Sequence, residues 1–225
     1  MVATTLKKQQ LGAGIYTIPD IGKLLNIPTR KVRRYINDYL DERFGKKFLN
    51  DTYSWSGGNQ FKAVSFYTLI ELYTCFQLKD LGVSTQLIFK SRSIMSKDLR
   101  TPYPFASASL LSDGAKIWYE FEGAIVKADG SKQIEFVEMI QSFASKVEFD
   151  SSSVAERFWP AGKKSSIVVD PHHQFGQPVI SGTNIATEAI FSMYESGEAI
   201  ESIAILYDLT TKQICDAINF YKAVA

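Results

Sequence analysis

The chain has 225 residues, 45% of them hydrophobic and 22% charged, proportions that exclude a disordered polymer or a coiled-coil rod and allow one large domain or two to three small ones. No apolar run approaches the roughly 20 residues needed to cross a bilayer. The opening MVATTLKKQQLGAG has two lysines with no apolar stretch behind them, so no secretory signal is expected and a cytosolic, membrane-free protein is. The net charge of +1 hides a gradient: residues 1–100 carry 16 Lys and Arg against 8 Asp and Glu, residues 101–164 carry 7 against 9, and residues 165–225 carry 2 against 7. Such polarity predicts that the first part faces a polyanion and the last part something else.

In chain order, Thr17 is expected to cap a short helix carrying Ile18, Ile21, Leu24 and Leu25, with Pro19 tolerated in its first turn and Asn26-Ile27-Pro28 as its end. Thr29 is expected to cap a second helix through about Leu40, with Val32 and Ile36 inward. Ser56-Gly57-Gly58-Asn59, between short aromatic runs, predicts a hairpin tip, and two amphipathic helices follow over 66–79 and 84–97, parted at Gly82. Pro102 and Pro104 close this first unit. A second unit should hold a hairpin turning at Ser112-Asp113-Gly114, a helix over 133–142 and a strand over 146–149, ending at the linker WPAGKKSS. A third opens with a strand at Ile167-Val168-Val169, then the loop DPHHQFGQPVISGTNI. Helices over 187–195, 199–206 and 210–223 follow, with Thr183 or Thr187 capping the first and Thr210 the last. Domains are therefore expected at residues 1–101, 102–160 and 161–225. The fold class is mainly α, with a small α+β middle and a C-terminal three-helix unit of helix-turn-helix outline.

The chemistry-bearing stretch is Thr29-Arg30-Lys31-Val32-Arg33-Arg34-Tyr35. A DNA-reading helix needs a buried stripe, an N-terminus close to phosphates and long cations on its outer face. Here Arg30, Lys31 and Arg34 turn away from the Val32 and Ile36 stripe toward base edges or phosphates. Arg33 can clamp a phosphate with its planar fork, and Lys46 and Lys47 lead into the hairpin as a wing. Thr17 and Tyr35 complete the candidate interface. The bland alternative is an ordinary solvated basic face.

The run YTIPDIGKLLNIPTRKVRRYINDYL resembles the winged helix-turn-helix of MerR-type regulators, and FYTLIELYTCFQLKDLGVSTQLIFKSRSIM resembles the helix pair after the wing. The resemblance implies a second helix in the major groove with the residue at Arg33 on the backbone. It ends near Met95, before the prolines, where those regulators continue into a long dimerising helix. From Val168 to Ala225 the chain resembles a widespread domain of small bacterial antitoxins. The matching positions are Asp170, Pro171, Gly176, Pro178, Ile180, Gly182, Thr183 and Ile185, and Asn184 stands where that family commonly has a basic residue. Together these parts resemble VapB-type antitoxins with an added N-terminal DNA-binding domain. The resemblance implies a PIN-like ribonuclease toxin encoded by the adjacent gene, double-stranded operator DNA and a homodimer or higher oligomer as partners. A stand-alone MerR-like regulator without a toxin is the alternative.

Enzyme chemistry finds little footing. His172-His173 is the only histidine cluster and has no further Cys, His or Glu at metal-ligand spacing, so neither a metal nor another cofactor is expected. Cys75 and Cys215 sit far apart inside apolar helical patterns, as small core residues rather than a disulfide. Gly12-Ala13-Gly14 has no strand before it, and Glu120, Glu122, Glu135 and Glu138 are expected on solvated faces. A binding protein, not an enzyme, is expected.

Overall fold

A computed structural model describes residues 14–57, 61–107, 110–112, 117–121, 124–129 and 146–223. The helix expected over 133–142 and the hairpin-tip residues Gly58, Asn59, Asp113 and Gly114 lie outside them. Among the described residues the protein is mixed α+β and mainly helical, with seven α-helices and three small antiparallel sheets.

The chain enters as β1 (Tyr16–Thr17) and α1 (Ile18–Leu25). Thr17 caps α1 as expected, in a capping box: its hydroxyl accepts the Asp20 N–H while the Asp20 carboxylate accepts the Thr17 N–H at 2.9 Å. Asn26, in the left-handed region at φ 53, ends the helix. The second helix, α2 (Thr29–Arg34), starts differently from expectation. Pro28 is the residue before it, no side chain caps it, and Thr29 is its first helical residue. It does not stop near Leu40 either: Tyr35–Leu49 continues it with i→i+5 winding, as a π-helix closed by Asn50.

The hairpin is present as β2 (Ser54–Gly57) and β3 (Phe61–Val64), with β1 added against β3 in the order β1-β3-β2. Helices α3 (Phe66–Asp80) and α4 (Thr85–Asp98) follow, capped by Ser65 and Ser84. The middle sheet, β4 (Leu110–Ser112), β5 (Ile117–Phe121) and β6 (Ala124–Lys127), contains the expected hairpin plus a third strand. Then β7 (Val147–Phe149) and β8 (Ala155–Phe158) join β9 (Ile167–Val169) and β10 (Pro178–Ile180) in one sheet of order β10-β9-β8-β7. Phe158 is paired with Val169 in that sheet. The boundary expected at 160/161 thus falls inside a sheet, because strand pairing across the linker is invisible to local punctuation.

Helices α5 (Thr187–Glu195), α6 (Ile200–Tyr207) and α7 (Thr211–Lys222) complete the chain within a residue or two of expectation. Thr210 caps α7 in a capping box with Gln213. Neither Thr183 nor Thr187 caps α5: Ala186 precedes it, and the two hydroxyls donate instead to the carbonyls of Ile180 and Pro178. One core runs from Tyr16 and Ile21 through Phe44, Phe76 and Phe105 to Phe158, Ile190 and Phe220.

At the centre of the first unit, Arg92 on α4 and Glu71 on α3 meet at 2.6 Å with both side chains 0% exposed. Arg92 also donates to the Tyr53 hydroxyl and the Pro102 carbonyl, while Glu71 accepts the Phe105 N–H. The guanidinium lies 4.4 Å from the Phe44 ring centre on the π-helix and 5.1 Å from that of Tyr53. Removing one member of such a pair strands the other as a buried charge. Glu71→Ala is therefore expected to cost about 3–5 kcal/mol of unfolding free energy, read by denaturant titration. A loss below about 1 kcal/mol would show that the pair behaves as a surface one.

Candidate nucleic-acid interface and C-terminal face

The outer side of α2 presents Arg30, Arg33 and Arg34, all exposed, while Val32 and Ile36 are buried beneath them. Among the described residues none of the three arginines forms an ion pair. Guanidinium groups held on a rigid helix and free of carboxylates are suited to phosphate oxygens and guanine edges. The neighbouring candidates fare differently. Lys31 is half-buried, its ammonium 4.9 Å from the Phe76 ring centre, so part of its reach is spent on a cation–π contact. Tyr35 is only 4% exposed and lies edge-on to Tyr39 and tilted against Phe76. It is a core residue, and burial pushes its phenol above the ordinary value of 10.0. Thr17 is engaged with Asp20, its hydroxyl donating to that carboxylate at 2.5 Å.

Lys46 and Lys47 are exposed but belong to the last turn of the π-helix, on the order of 20 Å along the axis from Arg30. Lys47 lies over the Phe48 ring. They extend the basic surface rather than join the arginine cluster.

The hairpin is held against the π-helix by a buried carboxylate that sequence reading missed. Asp41 accepts the backbone N–H groups of Tyr53 and Ser54, at 2.7 and 3.0 Å, and the Ser54 hydroxyl. It also pairs with Lys62 at 2.9 Å, and Lys62 in turn donates to Asn37. Lys62 therefore braces the hairpin from inside instead of reaching outward. No sequence signal sets Asp41 apart, since Asp38 and Glu42 stand beside it on the same helix.

The expected C-terminal motif residues come together, mostly as turn builders. Asp170 is buried, and its carboxylate accepts the His172 N–H at 2.9 Å, Arg157 Nε at 3.2 Å and His173 Nδ1 at 3.1 Å. Partial burial pushes this carboxyl up, but those three donors outweigh it and hold it below the ordinary 3.8. Pro171 is buried beside it. Thr183 donates to the Ile180 carbonyl and accepts the Ile185 N–H, tying the Gly182 turn, where φ is 80. Asp170, His173, Gly182, Thr183 and the exposed Asn184 line one shallow groove with Arg157 and Trp159. Arg157 and Glu148, from β8 and β7, had no motif to announce them. His172 and His173 are exposed, and among the described residues no group of three or more His, Cys, Asp or Glu is placed to hold a metal.

The same loop is joined to the N-terminal unit. The Ile15 N–H donates to the Phe175 carbonyl at 3.1 Å, and Tyr16, 2% exposed, packs its ring end against the bare Cα of Gly176. Gly176 has φ 84, and a Cβ there would overlap the Tyr16 hydroxyl. Pro178 continues from this point into β10.

Comparison with known proteins places these parts. Residues 167–221 match DUF433, a family described as a protein of unknown function. The chain is 25% identical over 94 residues to "Putative antitoxin VapB45" of Mycobacterium tuberculosis, a stretch covering 41% of this chain and 39% of that protein. It is 39% identical over 56 residues to the uncharacterized protein Rv2308 of the same organism, covering 25% of this chain and 24% of that one. These matches span well under half the length of either curated relative. The fold is similar to the crystal structure of Rv2018 from Mycobacterium tuberculosis, with a TM-score of 0.65 at 16% identity over 94% of this chain and 99% of that one. In sequence the chain is thus weakly similar to a protein described as "Putative antitoxin VapB45". Among the described residues no helix is long and apolar enough to cross a membrane.

Two outcomes follow from this geometry. Gly176→Ala is expected to destabilise the protein by more than about 1 kcal/mol, because the left-handed backbone and the Tyr16 overlap both oppose a Cβ; unchanged thermal unfolding would contradict the contact. Since the Asp170 carboxyl is lowered in the fold, its contribution is fully present above its ordinary pKa and is lost as pH falls through the lowered one. Asp170→Asn should therefore flatten the acid limb of the stability curve below the ordinary carboxyl value of 3.8, and an unchanged limb would refute the role.

Proposed function

We propose that this chain is an antitoxin of the VapB type, a binding protein without enzymatic activity. In this reading it neutralises a PIN-domain ribonuclease toxin by occlusion and represses its own operon through the N-terminal winged helix-turn-helix. The DNA half rests on one observation above others: Arg30, Arg33 and Arg34 stand exposed on one helix with no ion-pair partner among the described residues. Exposed cations unclaimed by carboxylates are what phosphate binding and counterion release require. The partner half is supported by the similarity to an antitoxin and by the surplus of acidic residues after Ser165. No cofactor is needed, and a homodimer or higher oligomer would let two readers address the two halves of a double-stranded operator.

Arg30→Ala and Arg34→Ala are each expected to weaken binding to a duplex from the chain's own upstream region. Each should also lower the slope of log affinity against log salt by about one, leaving toxin neutralisation intact. Lys31→Ala should change that slope less, because its ammonium is already engaged with Phe76. Electrophoretic shift or fluorescence anisotropy across a salt series reads the first effect. Co-expression with the product of the neighbouring reading frame, scored by growth, reads the second. Release of toxicity with DNA binding unchanged would reverse the division of labour.

A further inference from the structure

Helix α6 already has its full inward stripe. Ile203 and Ala204 are buried, and Ile200 and Tyr207 pack half-buried against the core, at the i, i+3, i+4, i+7 spacing of one helix face. Ile205 and Leu206 are therefore surplus to the fold, and they stand 83% and 65% exposed. A single exposed aliphatic needs no explanation, but two adjacent ones on the outside of a completed helix do. The face around them is acidic. Glu201 lies one turn before Ile205 and Asp208 three residues after it, both exposed, and among the described residues neither forms an ion pair.

We propose that the outward face of α6, with Ile205 and Leu206 as its apolar knobs and Glu201 and Asp208 at its edge, docks into an apolar pocket rimmed by lysine and arginine on a protein partner. Charge selects this occupant. Nucleic acid would meet carboxylates and is repelled. A second copy docking through the same face would set Glu201 and Asp208 against like charges, which disfavours that pairing. A protein with a cationic rim gains from both the knobs and the acids. The inference rests on the antitoxin reading, in which the partner is a ribonuclease, and a cleft that holds RNA carries such a rim because it must hold phosphates.

The test uses the full chain co-expressed with the product of the neighbouring reading frame, with Ile205→Asp, Leu206→Asp and Glu201→Lys as variants. The two aspartate variants are expected to lower affinity for that product about 30-fold or more, as loss of a central apolar anchor does. They should restore its toxicity while keeping wild-type operator binding and unfolding temperature. Glu201→Lys should slow association and remove part of its salt dependence. Wild-type chain that neutralises the product, together with aspartate variants that neutralise it equally well, overturns this inference and leaves the antitoxin reading standing. Wild-type chain that neither binds nor neutralises it overturns both. If Ile205→Asp converts an oligomer to single chains with partner affinity unchanged, the face belongs to a second copy and the inference is likewise overturned.

Discussion

The arrangement of the N-terminal unit depends on one buried ion pair. Arg92 and Glu71 join α4 to α3, and through Tyr53, Pro102, Phe105 and the ring of Phe44 they also reach the hairpin, the turn after α4 and the π-helix. Two charges taken out of water cost more than their attraction returns unless the surrounding donors and acceptors are matched. Here the Tyr53 hydroxyl comes from the start of the hairpin and the Pro102 carbonyl and Phe105 amide from the turn after α4, so these bonds form only when both segments are correctly placed, and among the described residues Arg92 Nη1 is still left without a hydrogen-bond partner. Burial still pushes the Glu71 carboxyl up despite the adjacent guanidinium, a measure of how dry the site is. The pair specifies an arrangement more than it adds stability, and that arrangement sets the π-helix against the start of the hairpin. Asp41 repeats the device on a smaller scale, with one carboxylate collecting two amides, a hydroxyl and an ammonium to fix the hairpin on the helix.

Much of this was legible from the sequence, for identifiable reasons. Helices α1, α3, α4, α5, α6 and α7 announce themselves through 3.6-residue periodicity, and four of them through a Ser or Thr cap. The features that escaped detection are those without a local signature. The i→i+5 winding of 35–49 leaves no distinct period in so short a stretch, so Leu40 looked like an end. Pro28, rather than a capping side chain, opens α2 because its fixed φ suits the approach to a helix. Tyr35 reads as polar by type, yet its neighbours Tyr39 and Phe76 close over it. The sheet joining β8 to β9 is a non-local pairing across a Pro-Gly-Ser linker that, read locally, marks a boundary.

The C-terminal motif shows the same division between pattern and meaning. Its residues could be picked out, but not whether they bind something or build turns. Gly176 is required because Tyr16 lies against it, and Thr183 closes its own turn. Asp170 holds two histidine-bearing positions and Arg157 together. Of the motif residues, Gly182 and Asn184 are the exposed members, and both line the groove. By contrast, Ile205 and Leu206 read as ordinary members of an apolar helix, and only the placement of α6 turns them outward.

The contact of Tyr16 with Gly176 gives the charge gradient a physical consequence. Charges from opposite ends of the sequence are brought onto one body, because the strand that precedes α1 is bonded to the loop that precedes β10. The same seam sets Lys23 and Leu24 of α1 in one cleft with Asp216 and Asn219 of α7, so the basic and acidic parts of the chain meet in space rather than standing at opposite ends. A net charge of +1 is therefore the sum of opposite charges held close together, and each sign acts on its surroundings through its local surface rather than through the field of the whole molecule.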